Sequence, residues 1–274
     1  MTAEPHVPPG VDPAVPSPAR IYDYLLGGSY NFESDRTAAN RAMQRVPEVR
    51  DIIFATRGFH GRAVRWIAEP GITQYLDIGS GLPTVGNTHE IVGRVIPDAR
   101  VMYVDNDPMV AASVAEILID PDRTRFTTGD IRDPGDLLTR PEITDFIDLG
   151  QPLGLIISAV LHFVADDDDP AALMDRYIAA LAPGSYVALS HATADKAPPE
   201  SVKTGQETYA NASAQFFMRP AAEVERFFAG LEIVPPYEGA GPRLAYLGEW
   251  GAEDPAGADT DGSRWGYCGV GRRA

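Results

Sequence analysis

In the stretch YLDIGSGLPTVGNTHEI, residues 75–91, an acid and two glycines separate an apolar run from a segment carrying helix-start signals. Gly79 and Gly81 have no Cβ, so the backbone there can take positive φ and come close to a ligand. Asn87, with Glu90 three residues on, forms a capping box that predicts a helix from Thr88 through Ile91, Val92 and Val95. Strand, glycine loop and helix together aim N–H groups and the positive end of a helix dipole at whatever sits above the strand's carboxyl end. Asp105 closes a second apolar run, 100–104, and follows Gly81 by 24 residues. That is close to the roughly 20-residue spacing at which an acid reaches ribose hydroxyls in a doubly wound sheet. A carboxylate accepts from both hydroxyls of a diol, and each charge-assisted bond contributes roughly 1.5–3 kcal/mol. The competing role, a helix cap, suits Asp107 better, because Pro108 follows it at the first helical position. A third run, 124–128, ends in Gly129-Asp130-Ile131. Asp130 can accept from an exocyclic amine such as adenine N6 while the Ile131 N–H donates to a ring nitrogen; a turn cap is the other reading of Asp130.

The elements that must position these acids are short apolar strands alternating with helices. Beyond the first three, 155–159 (LIISA) and 186–189 read as strands four and five, a weaker strand lies around 231–234, a short one is expected at 244–247, and 265–270 is the last. Ahead of the first strand, Ile21, Tyr22, Leu25 and Leu26 have helical spacing terminated by Gly27-Gly28, and further helices cover 34–45 and 48–68. Tyr22, Asp23, Gly27, Gly28 and Asn31 are readable either as a lid over a ligand or as a plain helix-helix turn. Residues 1–18 hold six prolines and are expected to be a mobile tail or loosely bound arm. The polar segment 193–204 lies where these sheets bind acceptors, and helices are expected at 205–217 and 221–228. Residues 237–262, rich in Gly, Pro and acid, read as a long excursion. The four acids Asp166 to Asp169 tempt a metal reading, but no ligand spacing accompanies them and Asp169-Pro170 reads as a helix start; no metal site is expected.

The ordered set DIGSG, YVDNDP, GDI, LIISAVLHF and LAPGSYVALSH resembles the class I S-adenosylmethionine-dependent methyltransferases. ARIYDYLLGGSYNFESDRTAANR with GLPTVGNTHE resembles, more narrowly, an actinobacterial-type methyltransferase family long described as a domain of unknown function. The resemblance runs from about Ala19 to the C-terminus and is loose beyond His191. It implies a three-layer Rossmann-like α/β fold with a mostly parallel seven-stranded sheet, an antiparallel last strand beside the fifth, and extra N-terminal helices (19–70) on a single domain. It further implies S-adenosyl-L-methionine as cofactor, with Asp77, Gly79, Ser80 and Gly81 around the methionine moiety. Asp105 with Asn106 would hold the ribose, Asp130 with Ile131 the adenine, and Ser158 to His162 would line the side facing the transferred methyl. The sequence departs from such loops in having Leu82 and Pro83 after Gly81.

Because the sulfonium methyl is already activated, alignment of a nucleophile is the main demand, and positioning can contribute roughly 7–11 kcal/mol. A base is needed only for a protonated, weakly acidic acceptor. His162 is the candidate, with a structural histidine as the alternative, and His191 ranks behind it. A nicotinamide dehydrogenase is disfavoured, since Thr84 stands at the third glycine position of its fingerprint. A binder of S-adenosylmethionine or its product that acts as a sensor or scaffold stays open.

Composition narrows the partners. The chain has 274 residues, 44% of them hydrophobic, enough for one full domain core. A formal net charge of -16 repels nucleic acid and anionic membrane, so a small-molecule acceptor is expected. The single cysteine, Cys268, excludes an internal disulfide, and the longest apolar stretch, 154–164, is too short to span a bilayer. With no basic-then-apolar leader, the cytoplasm is the expected compartment.

Overall fold

The structure is a computed structural model and describes residues 6–83, 86–114 and 120–274. Thr84, the third-glycine position, lies outside the described residues, as do Met1 to Pro5. The parallel frame consists of β1 (Gln74–Ile78), β2 (Arg100–Asp105), β3 (Thr124–Thr128), β4 (Gly154–Ser158) and β5 (Tyr186–Ala192). β6 (Glu232–Ile233), β7 (Ala245–Tyr246) and β8 (Gly266–Arg272) complete it in the order β3-β2-β1-β4-β5-β8-β6, with β7 pairing β8. β8 runs antiparallel between β5 and β6, as the resemblance implies, and the two-residue β7 raises the strand number from seven to eight.

Both faces of the sheet are buried, which is why the central strands are near-continuous apolar runs. Leu76, Met102, Leu155 and Leu189 face one layer, where Leu173 and Tyr177 of α8 (Pro170–Ala180) cover them. Tyr75, Tyr103, Ile156 and Ala188 face the other, covered by Phe59, Val64 and Ile67 of α3 (Val49–Ala68) and by Val92 of α4 (Thr88–Gly93). Each such fully buried side chain contributes roughly 1.5–3 kcal/mol. α3 is thus a layer of the core. α1 (Pro18–Leu26) and α2 (Glu33–Arg45) form a separate small cluster through Ile21, Leu25, Ala38 and Ala39.

Two expectations change and one is narrowed. Of the mobile tail and the bound arm, residues 6–17 take the second, lying against the domain. Ser17 N–H donates to Asp35 Oδ1 at 2.9 Å, Ser34 Oγ donates to the Pro13 carbonyl at 2.7 Å, and the Ser213 N–H to the Pro16 carbonyl at 2.9 Å. Asp35 also takes the Arg20 guanidinium at 2.9 Å and the Phe32 N–H at 2.8 Å, a buried knot that proline content alone does not reveal. The helix expected at 205–217 is α9 (Pro199–Tyr209), starting earlier because Pro199 occupies its first turn, and residues 210–220 are irregular. Last, α10 (Ala221–Arg226) stops short of Phe228, and Phe227 and Phe228 instead enter the core.

Candidate active site

The strand order reverses between β1 and β4, and ligands of such sheets bind outside the carboxyl ends at that switch point. A cavity of about 820 Å³ lies there, at the upper end of the size usual for small-molecule sites. Register brings the three acids together: Ile78 pairs Val104 and Asp105 pairs Thr128, so the tips of β1, β2 and β3 are level.

The loop after β1 is pinned to its neighbours. Gly79 and Ser80 N–H groups both donate to the Val104 carbonyl, at 2.7 and 3.2 Å. Gly79 and Gly81 have φ of +73° and +69°. A Cβ on Gly79 would lie 2.3 Å from Val160 Cγ2, so the loops after β1 and β4 touch only because this residue is glycine, whereas the space beside Gly81 is open. The Ser80 hydroxyl is buried without a partner in the cavity lining, as expected where a ligand supplies the missing one.

Asp77 shares the α3 and α4 face of β1. Thr88 Oγ1 donates to its Oδ2 at 2.6 Å, and His60 Nε2 lies 3.1 Å from the same hydroxyl. Burial pushes Asp77 up to about 6 and holds His60 down to about 3, leaving the histidine neutral. Arg57 of α3 lines the cavity nearby, donates to the Gly86 carbonyl at 2.8 Å and offsets part of the rise at Asp77. Asp105 accepts from the Gly81 N–H at 2.8 Å and the Asp107 N–H at 2.9 Å, and burial raises it to about 6 as well. Each oxygen keeps further lone pairs for a diol. Asp107 is the N-cap of α5 (Pro108–Ser113), accepting from the Met109 N–H at 2.8 Å, the cap role that Pro108 predicts for it, and both acids line the cavity.

Asp130 caps its turn, one of the two roles its position offers. Its Oδ1 accepts from the Arg132 N–H and Nε at 2.9 and 3.0 Å, and Asn106 Nδ2 reaches its Oδ2 at 3.4 Å. The Arg132 guanidinium keeps its carboxyl below the usual range. Asp130, Asn106 and Ile131 all line the cavity.

On the opposite side, Ser158 ends β4 with its hydroxyl 3.2 Å from that of Ser190. Ala159 then takes a left-handed φ of 60°, a conformation costing roughly 1–2 kcal/mol without glycine. Its N–H donates to Ser190 Oγ at 3.0 Å, which holds the turn. His162 follows, 8% exposed, at the cavity and among the rings of Phe163, Phe216 and His191. Its Nδ1 accepts from the Ala192 N–H at 3.4 Å, so the neutral ring carries its proton on Nε2. Burial, reinforced by His191 and Arg219, holds its basicity well below the ordinary histidine value. His191 is engaged at both nitrogens, by the Ala192 carbonyl at 2.7 Å and by Arg219 at 2.9 Å. Arg219, 3% exposed, also donates to the Leu161 and Val164 carbonyls at 3.0 and 2.7 Å and pairs with Asp166, so it fastens the loop after β4.

The N-terminal segment divides. Tyr22 and Asp23 line the cavity, and the Tyr22 hydroxyl, pushed by burial up to about 12, faces the Ile53 carbonyl at 3.4 Å. Gly28 does not: it is exposed and outside the cavity lining. It is glycine because a Cβ there would lie within 2.0 Å of Asp23 Oδ1. Asn31 Nδ2 closes the same turn, donating to Asp23 Oδ2 at 2.8 Å and to the Gly28 carbonyl at 3.0 Å. Asp169, the last of the four acids, caps α8 by accepting from the Ala172 N–H at 3.2 Å. Sequence reasoning missed Arg57, His60, Thr88, Arg132 and Arg219; only Thr88, beside the predicted cap, carried a local signal.

A family model described as S-adenosyl methyltransferase matches residues 5–274. Among solved structures, a candidate methyltransferase from Thermobifida fusca is 37% identical with TM-score 0.88, covering 97% of this chain and 97% of that one. A DUF574 family protein from Streptomyces avermitilis is also 37% identical, with TM-score 0.87 over 95% of this chain and 98% of that one. An O-methyltransferase family protein from Burkholderia thailandensis shares the fold at 13% identity, TM-score 0.51, over 83% of this chain and 58% of that one. No curated protein matches the sequence. The N-terminal arm is inside the matched region, which extends the resemblance read from the motifs, and the chain belongs to the S-adenosyl methyltransferase family.

Proposed function

We propose that the chain transfers the methyl group of S-adenosylmethionine to a small-molecule acceptor bound in the same cavity. The observation that carries this reading is the convergence of Gly81, Asp105 and Asp130 on one cavity large enough for cofactor and acceptor together. When bound, S-adenosylmethionine would supply an activated sulfonium methyl for transfer to an acceptor lone pair, with the carbon–sulfur electron pair left on sulfur. The residues present fit it. Asp77 and Arg57 offer an anion and a cation to a zwitterionic amino-acid end, and the open space at Gly81 with the unpartnered Ser80 hydroxyl suits the methionine chain. Asp105 accepts from the ribose hydroxyls, while Asp130, steadied by Asn106, and Ile131 take the adenine edge. Tyr22 covers the site from the N-terminal side, and Ser158 with His162 bounds the methyl-transfer side. A neutral His162 with its proton on Nε2 orients the acceptor atom by donating a hydrogen bond, and its depressed basicity disfavours proton abstraction from a weak acid.

Calorimetry of the full chain with S-adenosylmethionine and S-adenosylhomocysteine tests the first half of this reading, and binding of neither would end it. Incubation with methyl-labelled donor and pooled small-molecule extracts tests the second. Label transferred to an extract component is the expected result; tight binding with no donor consumption across extracts would favour a sensor.

A further inference from the structure

The acceptor side of the cavity is walled by aromatic rings drawn from three separate segments. Phe163 comes from the turn after β4, Tyr209 from the end of α9, and Phe216 from the irregular stretch that follows. Phe163 meets Tyr209 at 5.3 Å and Phe216 at 5.7 Å between centroids, and Tyr209 stacks on Phe216 at 5.1 Å. All three line the cavity and none is fully buried. Rings left partly uncovered on the inside of a cavity are apolar surface that a ligand completes. His162 extends the wall toward the strand tips, 4.5 Å from Phe163 and 5.0 Å from Phe216.

Charge limits what can lie on this wall. Seven aspartates line the cavity against three arginines, Arg20, Arg57 and Arg132. Arg20 is paired with Asp35 beyond the lining, and Arg132 and Asp130 offset each other, which leaves six aspartates facing Arg57. A carboxylate or phosphate on the acceptor would meet a lining of net negative charge.

We propose that the acceptor is an uncharged aromatic molecule whose ring lies on the Phe163–Tyr209–Phe216 wall. This rests on the proposed function only for the word acceptor; the wall itself is independent of the cofactor. Ring on ring brings offset or edge contacts that a saturated molecule of equal size cannot make.

The test titrates the full-length protein, loaded with S-adenosylhomocysteine, with 2-naphthol, its saturated analogue 2-decalol, and 2-naphthoate. We expect 2-naphthol to bind about fivefold or more tighter than 2-decalol, and 2-naphthoate to bind more weakly than 2-naphthol. Phe216→Leu, which keeps apolar volume and removes the ring, should bring 2-naphthol down to the 2-decalol level and leave 2-decalol unchanged. Equal binding of 2-naphthol and 2-decalol, tightest binding of 2-naphthoate, or an unaltered preference in a folded Phe216→Leu variant would overturn the proposal. Should that variant melt early, the wild-type ratio of 2-naphthol to 2-decalol decides alone. Loss of the aromatic preference with S-adenosylhomocysteine still bound sinks the wall and leaves the cofactor reading standing. Aromatic preference without S-adenosylhomocysteine binding does the reverse.

Discussion

The strand-tip half of the cavity is drawn from residues 77–131 and is held by main-chain pairing, the Gly79, Ser80 and Gly129 N–H groups all bonding to β2 carbonyls. The acceptor half takes Tyr22, His162 and the neighbouring pair Tyr209 and Phe216 from three distant segments. Two main-chain bonds, from the Phe217 N–H to the His162 carbonyl and from the Arg219 N–H to the Ala192 carbonyl, join its segments, and side chains add the rest: Arg219 across the loop after β4, and the Arg20–Asp35 pair under the arm. A site built on a ladder keeps its strand ends level when one side chain is lost, although removing Asp105 also frees the Gly81 and Asp107 N–H groups it accepts from. A site stapled by side chains loses its shape when the staple goes.

The contrast can be broken by experiment. Asp105→Ala should leave the sheet intact and remove two charge-assisted bonds to the ribose, about 3 kcal/mol and hence about a hundredfold in affinity for S-adenosylhomocysteine by calorimetry. A change under threefold would remove Asp105 from the binding site. Arg219→Ala should do the opposite. It strands the Leu161 and Val164 carbonyls, costs roughly 2–3 kcal/mol of stability and lowers the melting temperature by several degrees. Acceptor turnover should collapse while S-adenosylhomocysteine affinity stays within about twofold; an equal loss of both would erase the distinction between the halves.

Acidity sharpens the same comparison. Asp77 and Asp105 are raised to about 6 by burial, so their carboxylates are ionised above that pH and protonated below it. Affinity for S-adenosylhomocysteine should therefore be full near pH 7.5 and weaken as pH falls through 6, with Asp105→Asn flattening the profile. A pH-independent Kd between 5 and 7.5 would contradict this. The smallest effect is expected at Asp130→Asn: the carboxylate is partly exposed and already matched by Arg132, so the loss should stay near 1 kcal/mol or below, about fivefold at most.

Most of the strand-tip half was legible because its signals are local. A glycine turn, a cap and an acid at a strand end each occupy a few consecutive residues, and a parallel ladder then aligns the ends without further instruction. Asp107 capping α5 and Asp105 left for the cavity were separable from Pro108 alone. The N-terminal turn was legible only in part. Its glycines and Asn31 obey short-range geometry, yet nothing local distinguishes Tyr22, which lines the cavity, from Gly28, which does not.

The missed groups have no sequence neighbour that explains them. Arg57 and His60 sit mid-helix in α3 and reach the site only because that helix packs on β1. Ala159 carries its positive φ because the Ser190 side chain on another strand accepts its N–H. Between a mobile tail and a bound arm the sequence could not choose for the same reason: six prolines describe a chain with little core of its own, while the contacts of the arm come from Asp35, eighteen residues beyond Ser17.

By itself the sequence determined the alternation of strands and helices, the glycine loop and the acids at the strand tips, since periodicity, capping and φ preference act within a few residues. Tertiary structure alone decided which rings and arginines face the cavity, how its carboxyls and histidines titrate, and where the arm lies. Burial and long-range pairing set those properties, and both exist only once the chain has closed on itself.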